Sequence, residues 1–391
     1  MNKYNYFKLN SSYLAIFLFG CSILFYSPTP LVIATLLFLP VFLIYFYNVK
    51  LNKLNSLVIL FCLLSIPSIS NFFSLTETFR FIALVALFMV FYLIGTKNSS
   101  SEKYFKILTL IFYCCAFVAF YYYLVILIRG DNSLIDERRY YQAREFLFFG
   151  REYDFQFGIT HLNFYTSYCL LYSIIRALLL KQRSWYLVVL VFLTLSFLSE
   201  SRGPVLFSVI VFLSIWACLR IHRYKSFKIP FLLFFSIVAL LTIYAPVFWE
   251  ILKEQGNAGN YRLLTAAVTD LSRISYFLLG IEHLIAKPFG NVLIYTADTD
   301  LQNYHNTFLT IANRNGIIAC SLFIAIVLFS FAKSIAHLKD NSPTFLSITP
   351  ILIFLYCLFF FNIDDVMRFD RLVYLLLAFQ IGVGERLYKM S

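Results

Sequence analysis

The segment Asn303–Phe331, NYHNTFLTIANRNGIIACSLFIAIVLFSF, ends as an apolar run and begins with a histidine, four asparagines and an arginine. Apolar sequence resumes at Gly316. From there to Ala332 a helix covers ~25 Å, close to the ~30 Å hydrocarbon core of a bilayer. A helix starting at His305 extends ~16 Å further. Its polar head therefore either projects into an outer vestibule or is sheltered inside a bundle. His305, Leu309, Ala312 and Gly316 share one face at i, i+4, i+7 and i+11. The small Ala312 and Gly316 would let another helix approach closely.

The rest of the chain supports a membrane setting. Of 391 residues, 61% are hydrophobic and 13% charged, whereas an ordinary soluble domain has about a quarter charged. Runs such as FIALVALFMVFYLIG and LLFFSIVALLTIYAPVFW have membrane-crossing length. The expected fold class is all-α: a polytopic membrane bundle of about 12 transmembrane helices forming a single integral membrane domain over 1–391. The spans are predicted near 12–27, 31–47, 54–71, 79–95, 105–128, 158–180, 184–199, 203–219, 229–248, 305–332, 344–362 and 369–384. The N-terminus has a basic start and an apolar stretch but no small-x-small cleavage site, so it reads as a first, uncleaved span. The eight cysteines each fall in an apolar run, which suits packing residues and not a disulfide framework or metal cluster.

Charge sets the expected orientation. The connections NVKLNK, GTKNSSSEKYFK, LKQRS, LRIHRYKSFK and AKSIAHLKD fall on one side with both termini. That side carries 18 Lys and Arg against three acids, and the other side 14 against 17. By the positive-inside rule both termini are cytoplasmic. The net charge of +12 thus reflects topology and gives no reason to expect nucleic acid. On the outer side 12 of the 14 basic residues are arginine. Arginine offers a permanent planar fork suited to phosphate or carboxylate; the alternative is pairing with the 17 outer acids. Two outer loops are long, 129–157 and 249–304. The second contains YRLLTAAVTDLSRISYFLLGIEHLIAKPFG, whose helical spacing breaks at Pro288, and one or two short helices are expected against the bilayer surface.

Several residues carry chemistry. A neutral His305 could take a proton from a hydroxyl near pH 7, or it could simply cap its helix. Arg202 precedes Gly203-Pro204 at a helix start, where an external phosphate would be favoured; Glu200 is the alternative partner. Arg273 stands in the large loop beside Asp270. His161, with Asn163, tops another span and suits an interfacial cap. Asp298–Asp300 matches a metal-binding DxD, but such sites need a nucleotide donor, so no metal is expected. No Walker loop, Rossmann fingerprint, HExxH or GxSxG occurs, and no cofactor is expected.

Three segments together resemble the O-antigen ligase/polymerase superfamily of bacterial envelope glycosyltransferases. SESRGPVL is similar to its S-R-G segment at a helix start. SRISYFLLGIEHLIAKPFGNV is similar to its arginine-helix-P-x-G segment. YHNTFLTIANRNGIIA is similar to its H-N-x9-G-x-x-G segment, with Ala319 in place of the last glycine. The resemblance covers roughly residues 160–335. It implies a GT-C-like bundle in the bacterial inner membrane, whose two long periplasmic loops carry short helices. It also implies transfer of an undecaprenyl-pyrophosphate-linked oligosaccharide to an acceptor glycan lipid without nucleotide or metal. Arg202 and Arg273 would stabilise the leaving pyrophosphate; His305 would activate or orient the acceptor hydroxyl. Asn306, Arg314, Arg139 and His161 are candidate substrate-binding residues. Arg139 and Gly150 show an R-x10-G spacing noted in some polymerases. The expected partners are these substrates, membrane lipids and a chain-length regulator. A polymerase would add glycan to the next lipid-linked repeat; a ligase would move it to lipid A-core. A flippase or transporter is the alternative of another class, but few charges lie midway through a span, where transport pathways need them.

Overall fold

The computed structural model describes residues 53–65, 75–97, 101–129, 142–148, 151–156, 159–198, 202–224, 271–290, 304, 306–340, 344–363 and 371–390. These form α1 (Lys53–Ser65), α2 (Leu75–Lys97), α3 (Ser101–Arg129), β1 (Gln142–Phe148), β2 (Arg151–Gln156), α4 (Ile159–Leu178), α5 (Trp185–Leu198), α6 (Arg202–Tyr224), α7 (Leu271–Ala286), α8 (Thr307–Asp340), α9 (Phe345–Ile363) and α10 (Arg371–Met390). Nine of these helices follow the apolar runs of the sequence; the expected spans at 12–27, 31–47 and 229–248 lie outside the described residues. Among the described residues, four helical stretches are long and apolar enough to cross a membrane: Glu102–Phe120, Gly203–Arg223, Thr307–Lys339 and Phe345–Asn362. The protein is a helical membrane protein.

α4 packs against α3, α5 and α6, while α8 packs against α1, α7, α9 and α10; α9 touches both groups. The core is aromatic. Phe323 of α8 lies 5.0 Å from the Phe61 ring and 6.0 Å from that of Phe361. Several buried hydroxyls donate within the protein, as a low-dielectric interior favours. Ser65, Ser173 and Ser196 each donate to the carbonyl one turn back. Tyr356 Oη donates to Phe164 O at 2.8 Å, tying α9 to α4. Tyr104 Oη donates to Gln380 Oε1 at 2.7 Å, tying α3 to α10. At the end of α4, Lys181 takes φ 53° and Gln182 N–H bonds back to Arg176 O at 3.2 Å. Arg176 there lies over the rings of Phe105 and Trp185 and donates to Gln182 Oε1 at 2.6 Å.

Two expectations are corrected. The 129–157 loop carries an antiparallel hairpin, with Phe148 opposite Arg151 and Gln142 opposite Gln156, and not a short helix. The reason is local: QAREFLF and REYDFQ are short segments rich in aromatic residues, separated by Phe149-Gly150, a strand–turn–strand pattern. The second correction concerns α8. It starts at Thr307 and breaks at Gly316, which adopts φ 88° and ψ 162°. Residues 307–315 therefore do not continue the face of the apolar helix. A continuous helix would set Phe308 and Cys320 ~18 Å apart. Instead Cys320 Sγ donates to Phe308 O at 3.3 Å, and the Phe308 and Phe323 rings are 6.1 Å apart. The polar head is a separate limb, 307–315, folded back beside the apolar limb, 317–340. It does not extend outward; it is sheltered in the bundle.

Candidate functional site

The fold-back is made by two glycines. The turn after α7, Lys287–Gly290, lies against the break in α8, and Gly290 also has positive φ, 89°. A Cβ on Gly290 would sit 2.6 Å from Gly316 N, and one on Gly316 would sit 2.7 Å from Phe289 O. In an unbroken helix Ile317 N–H would bond to Asn313 O; here it donates to Pro288 O at 2.8 Å. The Pro-Phe-Gly turn thus satisfies a donor that the break exposes. What approaches Gly316 is a backbone turn, and not the helix that the small-residue face suggested.

The asparagines of the polar head fasten this limb. Asn306 is the N-cap: its Oδ1 accepts from Leu309 N–H at 3.0 Å, and its carbonyl accepts from Thr310 N–H at 3.0 Å. Its Nδ2 donates to Asn362 Oδ1 on α9 at 3.3 Å. Asn313 Nδ2 donates to Gly280 O of α7 at 2.9 Å and to Leu309 O at 3.0 Å. Asn315 Nδ2 donates to Ser65 Oγ of α1 at 3.1 Å. These bonds replace water for a polar segment set inside a membrane bundle. The buried Thr310 Oγ1 and Asn313 Oδ1 have no partner among the described residues.

α7 meets the limb along Gly280 and His283. A Cβ on Gly280 would fall 2.9 Å from the Tyr304 ring and 3.1 Å from Leu309 Cδ1. One turn on, His283 Nδ1 and Tyr304 Oη share a hydrogen bond of 2.7 Å. Burial pushes the Tyr304 phenol up to about 12, so it stays neutral near pH 7. Sequence reasoning missed His283, Tyr304 and Gly290. The available signal was that Gly280 and His283, at i and i+3, share a stripe opposite Phe277, Leu278 and Ile285.

Other helix ends converge here. The Phe360 ring, near the end of α9, packs on Phe164 near the start of α4 at 4.7 Å and on Phe207 near the start of α6 at 5.9 Å. A Cβ on Gly203 would sit 3.9 Å from the Asn163 side chain. The first turns of α4 and α6, which carry His161 and Arg202, therefore lie together beside the turn of α9 that bonds Asn306. Arg273 is the third residue of α7, and Arg314 is half-buried beside the break. His305, Arg139, Asp298 and Asp300 lie outside the described residues; His305 falls between the buried Tyr304 and Asn306. Among the described residues no group of three His, Cys, Asp or Glu is placed to hold a metal. No protein-family model matches the chain, and neither a curated protein nor a solved structure matches it.

Proposed function

We propose that this chain is a membrane glycosyltransferase of the O-antigen ligase/polymerase type, and specifically a surface-polysaccharide polymerase. The observation that supports it best is the contact of Gly290 with Gly316. The P-x-G and H-N-x9-G segments, distant in sequence, form one backbone unit, as joint service in one site requires. The first turns of α4 and α6 meeting near Asn306 add support. In this proposal the chain is a twelve-span, GT-C-like bundle of a bacterial inner membrane, with both termini cytoplasmic and the loops at 129–157 and 249–304 periplasmic.

The proposed reaction is a single displacement. The acceptor hydroxyl oxygen bonds to the anomeric carbon of the donor, and the bond from that carbon to the pyrophosphate oxygen breaks with inversion. His305 takes the hydroxyl proton. Undecaprenyl pyrophosphate leaves, and Arg202 and Arg273 stabilise the charge that develops on it. His161 and Arg314 border the substrates. Asn306 was an expected substrate ligand, but its amide is already engaged at both ends, so we assign it to holding the limb. The arginine-rich 129–157 loop favours a polymerase over a ligase.

The test is reconstitution with the lipid-linked oligosaccharide and acceptor, in EDTA and without nucleotide. New glycosidic bonds are expected, lost in His305→Ala and Arg273→Ala and much reduced in Arg202→Lys. Full activity in His305→Ala would remove the histidine from the mechanism. In a deletion strain, one repeat per core identifies a polymerase. Full-length glycan left on the carrier identifies a ligase, and repeats missing from the outer leaflet identify a flippase.

A further inference from the structure

α7 is built inside out for a helix in water. Its polar attachments, Gly280 O to Asn313 and His283 to Tyr304, point into the protein. Its outward face is apolar: Phe277 is 41% exposed, Leu278 53% and Ile285 75%, and Phe289 in the following turn is 82% exposed. On a helical wheel Phe277, Leu278, Ile281 and Ile285 fall within about 100° of one another. A water-facing helix presents the opposite distribution.

Two further observations say what covers this face. The stripe is continuous with the outer surface of a membrane span. Phe289 O abuts Gly316, and the next residues of α8, Ile317 and Ile318, are themselves exposed. They open the 317–340 limb, whose exposed Ile324, Leu328 and Phe329 continue the apolar surface. The depth also agrees. The 307–315 limb is folded back to the level of Cys320 and Phe323, and α7 packs on that limb at Leu309 and Asn313. α7 therefore lies level with the first turns of the span and not above them.

We infer that α7 and the Lys287–Gly290 turn are immersed in the lipid leaflet bordering the polar head, with Phe277, Leu278, Ile285 and Phe289 against lipid hydrocarbon. The exposed Glu282 stands at the edge of the stripe, where head groups and water reach it. The immersion does not depend on the proposed chemistry. If that chemistry holds, the helix bearing Arg273 borders the leaflet in which a polyprenyl carrier travels.

The test uses nitroxide spin labels on Ile285→Cys, Phe289→Cys, Leu278→Cys and Glu282→Cys in the full chain, reconstituted into phosphatidylcholine–phosphatidylglycerol liposomes. The signal of the equally treated parent protein is subtracted. All four positions are exposed, so the fold tolerates the labels. Labels at 278, 285 and 289 should collide with dissolved oxygen and be shielded from a water-soluble nickel chelate. Their oxygen-to-nickel ratio should exceed that at Glu282 several-fold. Nickel access at 285 and 289 equal to that at 282 would overturn the inference by placing the face in water. Shielding from both reagents would overturn it by showing that protein covers the face. Neither outcome depends on transferase activity, so failure here is distinct from failure of the functional proposal.

Discussion

Among the described residues two pairs of glycines allow close backbone approach, and they do different work. In the crossing of α2 with α10, a Cβ on Gly95 would fall on Phe379 O, and one on Gly382 would fall on Tyr92 O. Both glycines sit in regular helix, so only space is at issue. In the contact of the turn with α8, Gly290 and Gly316 need space and also positive φ. Gly316 lies in a region of backbone conformation that is essentially closed to other residues. The first pair holds two helices together. The second sets the direction of a limb and so determines where its polar residues go.

Gly316→Ala should have the largest effect. It combines roughly 1–3 kcal/mol of backbone strain with about 1–3 kcal/mol of overpacking. The expected result is release of the turn, seen as new protease cleavage between 286 and 316, with loss of transfer and nearly unchanged helix content. Gly382→Ala should cost about 1–3 kcal/mol through overpacking alone. It should lower the thermal midpoint in detergent while the folded fraction keeps its specific activity. Equal loss of midpoint with full activity in both variants would break the distinction.

The smallest effect is expected for Tyr304→Phe, which removes one hydrogen bond worth about 1 kcal/mol. It should loosen α7 and lower transfer a few-fold, whereas His305→Ala abolishes it. The pH dependence sharpens this. The folded phenol is raised to about 12 from an unfolded value of about 10. The stability it contributes is complete below about 10 and falls as pH rises through about 12. Thermal midpoints across that window should drop less in Tyr304→Phe than in the parent protein.

The candidate site was partly legible. Pro288 reads from the sequence as a helix breaker and Gly316 as a small residue, but the contact of Gly290 with Gly316 does not, because the two glycines are 26 positions apart. Asn306 was flagged next to His305, yet its use as a cap depends on the helix starting at Thr307. Arg202 and His161 were placed at helix starts, and the structure adds that these two starts adjoin. His283 escaped notice because a histidine in a short helical segment has no special meaning until Tyr304 faces it.

The sequence alone determined that this is a membrane protein and where most of its apolar helices run, because transfer into hydrocarbon depends on summed local side-chain polarity. It also determined that the head of α8 is too polar to be an ordinary lipid-facing span. Only the tertiary structure decided that this head folds back at Gly316, is held by Asn306, Asn313 and Asn315, and is covered by a helix with its apolar face outward. The physical reason is that close backbone approach and buried hydrogen bonds are properties of pairs. Each partner has meaning only once the fold brings the other within reach.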